Sequence, residues 1–256
     1  MTVVDLRVLV LGIDVDDELI DRWRGWLMPK RQPYLIGPGL AGELGLTDRI
    51  GPLTPETRDS FELYDLGADV VVWLTGTEAR ALPAEVRAAQ PGAHRRASRD
   101  PAQTRRRVVR YVEDGRRPSR HTEVDVKTWS ELAELLPKAA SLAGTFPDGS
   151  GPNCFGTVMA ASGVGGAERT WMQREPFEEW LAERTVPGGR DDEAGTVLVW
   201  RGADGLVQHA AVTLGGGWAL HKPSQGWMSP TKVLRVGDVK LSSRTPGRYL
   251  HRNRMR

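Results

Sequence analysis

The stretch Gly151-Pro152-Asn153-Cys154 is followed by Phe155-Gly156-Thr157-Val158-Met159-Ala160-Ala161, a run of small and apolar residues with no further breaker until Gly163. Gly and Pro end whatever precedes, and Asn is a favoured residue just outside a helix. The pattern predicts a turn that delivers Cys154 to the first turn of a buried helix. Cys154 is the only cysteine in 256 residues. Unpaired N–H groups and the positive end of the helix dipole favour a thiolate at such a place. A thiol there can fall from ~8.5 to as little as ~3.5–7.5. A lone cysteine is otherwise a small core hydrophobe, so the motif acquires meaning only from partners.

Partners are offered downstream. Gly205 to His221 reads as a β-hairpin, with apolar residues on either side of Gly215-Gly216-Gly217. His209 enters the first strand and His221 leaves the second, so the two can lie across from each other. A thiol at a helix start, a base histidine and a second polar group to fix its tautomer are the parts of cysteine nucleophilic catalysis.

On these residues the chain resembles the NlpC/P60 group of papain-like cysteine peptidases. Cys154-Phe155-Gly156-Thr157-Val158 is similar to the family's helix start. Gly195-Thr196-Val197-Leu198-Val199-Trp200, then His209, then His221 twelve residues on, follow in the family's order. The resemblance covers residues 125–256. It implies Cys154 as nucleophile, His209 as general base and acid, and His221 as the group that orients His209. Two departures stand out: Asn153 replaces an Asp, and no Tyr lies in the dozen residues upstream. Oxyanion contacts are then expected from the Cys154 backbone N–H, with Asn153 and Trp218 as further substrate or oxyanion candidates.

The expected architecture is α+β: a papain-like catalytic domain at 123–256, with a Cys helix on an antiparallel sheet, preceded by a small α/β domain at 1–122. In the first part, 6–13 and 68–74 read as strands, 17–28 and 78–90 as helices, and 30–57 as loop and turns. Pro101 to Asp114 reads as a helix. Farther on, 122–127 reads as a short strand, Thr128-Trp129-Ser130-Glu131 as a capping box opening a helix to Leu142 with a kink at Pro137, and 176–183 as a helix. Strands are expected at 195–200 and 207–220, Trp227 and 233–241 are expected to close the sheet, and the basic tail 251–256 is expected to fray. Gly12 and Gly76 follow strands but belong to no phosphate-binding pattern, which argues against a nucleotide site.

The net charge is +2, and 29 of the 35 basic residues are Arg. His94 to Arg120 concentrates ten of them against Asp100, Glu113 and Asp114. This run reads either as a solvated helix face with a basic linker, or as a docking surface for an acidic partner through Arg105, Arg106, Arg107, Arg116 and Arg117. Nearly balanced charge and one nearby aromatic, Tyr111, argue against nucleic acid. One cysteine excludes internal disulfides and Cys-based metal clusters. No metal or bound cofactor is expected; a phosphopantetheine would be carried by a partner. The acidic triplet Asp191-Asp192-Glu193 reads as a solvated loop, and His94, His121 and His251 as exposed. No signal-type segment is visible at residues 1–7, and the apolar run 8–13 is too short to span a bilayer. A cytoplasmic location is the expectation.

The function these readings predict is acyl transfer through a Cys154 thioester, forming an amide between an acyl group on an acidic carrier protein and a small amine. In this it resembles cysteine-peptidase-like condensing enzymes of antibiotic assembly, notably of lincosamides. Hydrolysis of a peptide or amide by the same acyl-enzyme is the alternative. A non-catalytic binding module is the third.

Overall fold

The computed structural model describes residues 7–256 and divides into two compact units. One contains Asp14–Asp114; the other contains Leu9–Ile13 and Gly115–Arg256. The expected boundary at 122/123 therefore falls inside the second unit. Leu6, expected to begin the first strand, lies outside the described residues, as does most of the N-terminal stretch read for a signal segment.

The first strand is two. β1 (Val8–Val10) and β2 (Ile13–Val15) form a two-stranded sheet. Between them Leu11 and Gly12 both take positive φ, the conformation of a tight hairpin turn. A Cβ at Gly12 would lie 2.6 Å from the Ser119 carbonyl oxygen, and Leu11 accepts a bond from the Ser119 N–H at 2.7 Å. Only glycine meets both demands.

In the first unit, α1 (Asp17–Leu27) starts at Asp16, whose carboxylate accepts from the Leu19 N–H. Its periodic Ile20, Trp23 and Leu27 are buried. The stretch 30–57, expected as loop, instead holds β3 (Arg31–Ile36), α2 (Pro38–Glu43) and the start of α3 (Pro55–Phe61). Pro33 sits inside β3, which is tolerable because β3 has a single strand neighbour. That neighbour is β4 (Val70–Thr75), antiparallel, with Tyr34 opposite Val72. The expected α/β alternation is thus corrected: β4 pairs with β3 and not with the first strand. Pro83 splits the helix expected at 78–90 into a 3-10 turn, Glu78–Ala81, and α4 (Ala84–Ala88). α5 (Pro101–Glu113) runs as expected, capped by Asp100, with Val108 and Val112 buried.

The second unit is α+β. Residues 122–127 are not a strand: His121–Glu123 is a 3-10 turn and α6 (Val126–Leu132) follows. Its cap is Asp125, one turn before the expected box, because the Asp125 carboxylate takes the Thr128 N–H at 2.7 Å. The chain breaks before Pro137, and a separate α7 (Ala139–Leu142) replaces the kinked helix. Then come α8 (Cys154–Ala161), α9 (Arg174–Arg184), β5 (Thr185–Pro187), β6 (Ala194–Arg201), β7 (Val207–Gly215), β8 (Trp218–His221), β9 (Lys232–Arg235), α10 (Val236–Ser242) and β10 (Tyr249–Met255). The six strands form one sheet in the order β5-β10-β6-β7-β8-β9, with antiparallel neighbours throughout; the segment expected to close it at 233–241 turns into α10 after β9, and the tail expected to fray is β10, paired on both sides with β5 and β6.

Both faces of this sheet are covered. On β6, Val197 and Val199 join a cluster with Leu132, Ala160 and Phe177 from the helices α6, α8 and α9. Leu198 and Trp200 join another with Val236 and Val239 of α10. Every residue of α8 is buried, as a helix without a polar face requires. Among the described residues no helix is long and apolar enough to cross a membrane.

Candidate active site

Asn153 starts α8 as the sequence suggests, and its carboxamide is engaged at both ends. Oδ1 accepts from the Gly156 N–H at 3.1 Å, and Nδ2 donates to the Met172 carbonyl at 2.8 Å. Asn153 therefore fixes the helix entry and ties it to the 171–173 segment. The next residue, Cys154, is buried with its own backbone N–H and that of Phe155 near the sulfur.

The histidines arrive from the sheet. Pairing between β7 and β8 begins at Val212 opposite Leu220, so the ladder does not set His209 against His221. They meet where β7 runs on past the end of β8. Nε2 of one ring lies 2.8 Å from Nε2 of the other, with the ring planes at 88°. His209 faces Trp200 across the β6–β7 pair and so stands on the α10 side of the sheet, while α8 packs on the other side. The Cys154 sulfur meets β7 at Ala210, next in the chain to His209, where the backbone N–H favours a thiolate. Cys154 and His209 line one cavity of about 470 Å³, together with Trp171, Arg174, Pro223 and Arg248.

With Nε2 of His209 taken by His221, Nδ1 is the nitrogen left for a thiol proton. If His209 donates to His221, its Nδ1 is an acceptor, which is the form a base needs. The proton of His221 then sits on its Nδ1, a buried nitrogen with no hydrogen-bond partner among the described residues.

Burial dominates the titration. It pushes the Cys154 thiol up to about 11, although the Ala210, Phe155 and Cys154 N–H groups and the Lys222 ammonium pull the other way. It pulls His209 down to about 4, with the Arg248 charge adding. Burial also holds His221 well below its usual range, and the His209, Lys232 and Lys222 charges add to that. The expectation of a lowered thiol pKa is thereby corrected. The helix end does favour the thiolate, but desolvation outweighs it, and at rest the thiol and both imidazoles are neutral.

Comparison with models of known families, with curated proteins and with solved structures finds no match for this chain.

Trp218 does not line the Cys154 cavity. It sits at the turn end of β8, buried, with the Arg235 guanidinium 3.5 Å from its ring centre. Of the arginines, Arg105 pairs with Asp17 and Arg117 with Asp238, while Arg106 lies 3.7 Å from Asp100. Arg105, Arg106 and Arg107 belong to the first unit, Arg116 and Arg117 to the second. Asp191 bonds Lys240 and Arg252, and Asp192 bonds Arg190, so the acidic loop is neutralised within the chain. His94 is not exposed: it stacks on Tyr34 at 3.9 Å and bonds the Pro33 carbonyl. His121 is half-buried against Gly144, and His251 is exposed. Among the described residues no group of three His, Cys, Asp or Glu side chains is placed to hold a metal ion.

Sequence reading missed the cavity walls. Trp171 and Gln173 come from the segment before α9 and Arg174 from its first position, and Ser224, Gln225 and Arg248 come from loops of the last quarter. No local pattern marks them; their common feature is position in space.

Proposed function

We propose that this chain is a cysteine acyltransferase that carries an acyl group on Cys154 and passes it to an amine. The supporting observation is the shared cavity. It holds a thiol at a helix start and an imidazole whose far nitrogen is held by a second imidazole at 2.8 Å. The same set of parts is what the resemblance to NlpC/P60 peptidases implies.

In the proposed cycle His209 Nδ1 takes the Cys154 proton as the sulfur attacks the carbonyl carbon of an acyl thioester. The Cys154 N–H and the start of α8 favour the charge that builds on the carbonyl oxygen. The C–S bond to the donor breaks, and His209 returns the proton to the leaving thiolate. An amine then attacks the Cys154 thioester, gives its proton to His209, and the amide leaves as the thiol is restored. A neutral, low-pKa imidazole is free to accept a proton at pH 7. Burial of the sulfur and the ring keeps bulk water away from the acyl-enzyme, which favours a positioned amine over hydrolysis. The donor is proposed to be an acidic carrier protein, met by the exposed Arg106 and Arg107; such docking weakens with salt.

Intact-mass analysis tests this. An acyl thioester should leave one acyl mass on the protein, absent in Cys154→Ala, and an added amine should discharge it as amide. His209→Ala should slow acylation by about 10²–10⁴-fold. Peptide cleavage with no dependence on amine would replace transfer by hydrolysis.

A further inference from the structure

The walls of the Cys154 cavity are unbalanced in charge. Arg174 and Arg248 line it, and no Asp or Glu does. Some arginines of the second unit are neutralised by carboxylates: Arg201 pairs with Glu178, Arg252 with Asp191, and Arg117 with Asp238. Arg174 and Arg248 are held differently. Arg174 Nε donates to the Val207 carbonyl at 3.0 Å, and Arg248 Nε donates to the Gln208 side-chain oxygen at 2.5 Å. Neither has a carboxylate partner among the described residues. Each guanidinium is thus anchored through Nε on consecutive residues of β7, which leaves its terminal nitrogens for something else. That fork is the geometry that binds carboxylate or phosphate.

We propose that the Cys154 cavity selects a substrate bearing an anionic group, a carboxylate or a phosphate, which Arg174 and Arg248 hold beside the thiol. This rests on the acyl-transfer reading and narrows its substrate class. The Arg248 charge already acts on the His209 ring, so an anion bound there also eases protonation of the base during attack.

A single cysteine makes the test direct. Alkylation by iodoacetate, an anion, is compared with neutral iodoacetamide, with mass readout at Cys154. The expected result is a preference for iodoacetate of about five- to tenfold, lost in high salt. Arg248→Gln, at an exposed position, and Arg174→Gln should each remove most of that preference, read as the ratio of the two rates whatever happens to either rate alone, and Lys at either position should restore part. Equal rates for the two reagents in the parent protein, or Arg variants that slow both alike, overturn the anion site and leave acyl transfer standing. Inertness of Cys154 to both reagents overturns acyl transfer and the anion site together. Protection from iodoacetamide separates the sources: glutarate protects if the anion is a carboxylate of the acyl group, pantetheine phosphate if it is the carrier arm. Protection by neither overturns the proposal.

Discussion

Phe61 in the first unit and Phe177 in the second are both fully enclosed, but by different means. Phe177 stacks on Phe155 at 4.6 Å and on Trp180 at 5.5 Å, inside a cluster that continues across a six-stranded sheet. Phe61 ends a short helix and meets the half-buried His94 ring at 5.4 Å, and His94 in turn stacks on Tyr34 of the β3–β4 ribbon. One unit is built on backbone ladders. The other leans on side chains for the same work: Gln90 bonds both the N–H and the carbonyl of Leu35, at 2.8 and 3.0 Å, where a further strand would otherwise pair. A ladder repeats along a strand, whereas a single carboxamide satisfies one residue. Slow amide exchange is therefore expected to concentrate in β6 and β7, and faster exchange in β3.

The largest effects should come from emptying these two aromatic sites. Phe→Ala in a core costs about 3–5 kcal/mol. Phe177→Ala is expected at the upper end, because its stacked neighbours on α8 and α9 cannot both close the gap. Phe61→Ala is expected lower. Denaturant titration of each variant checks the order, and an equal cost would show that the ribbon core is packed as tightly as the sheet.

Acid separates the units next. His209, held near 4 against an ordinary 6.5, favours the fold by staying neutral. That contribution is complete above pH 6.5 and is lost as pH falls through 4, because only the unfolded chain takes the proton early. It amounts to roughly 3 kcal/mol once pH is below 4. His221 acts in the same direction in the second unit, and burial lowers His94 in the first. Cys154 works at the other end: its raised pKa supports the fold below pH 9 and ceases to as pH climbs to about 11. Stability measured against pH should form a plateau between these limits. His209→Gln should flatten its acid side and Cys154→Ser its alkaline side. An acid slope unchanged in His209→Gln would place the sensitivity elsewhere.

Two glycines give a smaller and more local contrast. A Cβ on Gly156 would stand 2.3 Å from the Ala167 carbonyl oxygen, and one on Gly92 would stand 2.2 Å from that of Phe61. Backbone has to move in either case, at a cost of about 1–3 kcal/mol. Gly156→Ala should also change the alkylation rate of Cys154, since Gly156 is on the first turn of α8. Gly92→Ala should leave that rate alone.

What could be read from the sequence follows the same division. α8, α9 and the β6–β8 strands are each encoded locally: a breaker and cap before Cys154, apolar periodicity around Phe177, and a glycine turn between apolar strands. β3 was invisible because Pro33 and flanking Gly and Pro residues argue for a loop, and its pairing is fixed by β4 some forty residues away. The capping box at Thr128 failed because Asp125 offers a competing cap one turn earlier. At the site, residue type and spacing pointed to the contact of His209 with His221 and to the cavity that Cys154 and His209 share. The neutral resting state of the three side chains was not legible, because it depends on how much water the fold removes. Arg174 and Arg248 are not legible because arginines are common in this chain, and what sets these two apart is their place in the cavity wall.

The smallest expected effect compares two carboxamides. Asn153 and Gln90 each bridge a backbone N–H and a carbonyl. Replacing either amide by a carboxylate keeps the acceptor and loses the donor. At Asn153 the new charge sits at the start of α8, where the dipole favours it by about 0.3–1 kcal/mol, which offsets much of the lost bond to Met172. At Gln90 the charge faces the Leu35 and Val86 carbonyl oxygens with no helix end to favour it. Gln90→Glu is therefore expected to cost about 1–3 kcal/mol and Asn153→Asp less than about 1. The order should invert for thiol chemistry. A carboxylate beside Cys154 opposes thiolate formation, so Asn153→Asp should slow iodoacetamide alkylation several-fold, while Gln90→Glu leaves it unchanged. If Asn153→Asp proves the more destabilising, the tie to Met172 outweighs the helix-end charge, and the 171–173 wall of the cavity is held chiefly by that one bond.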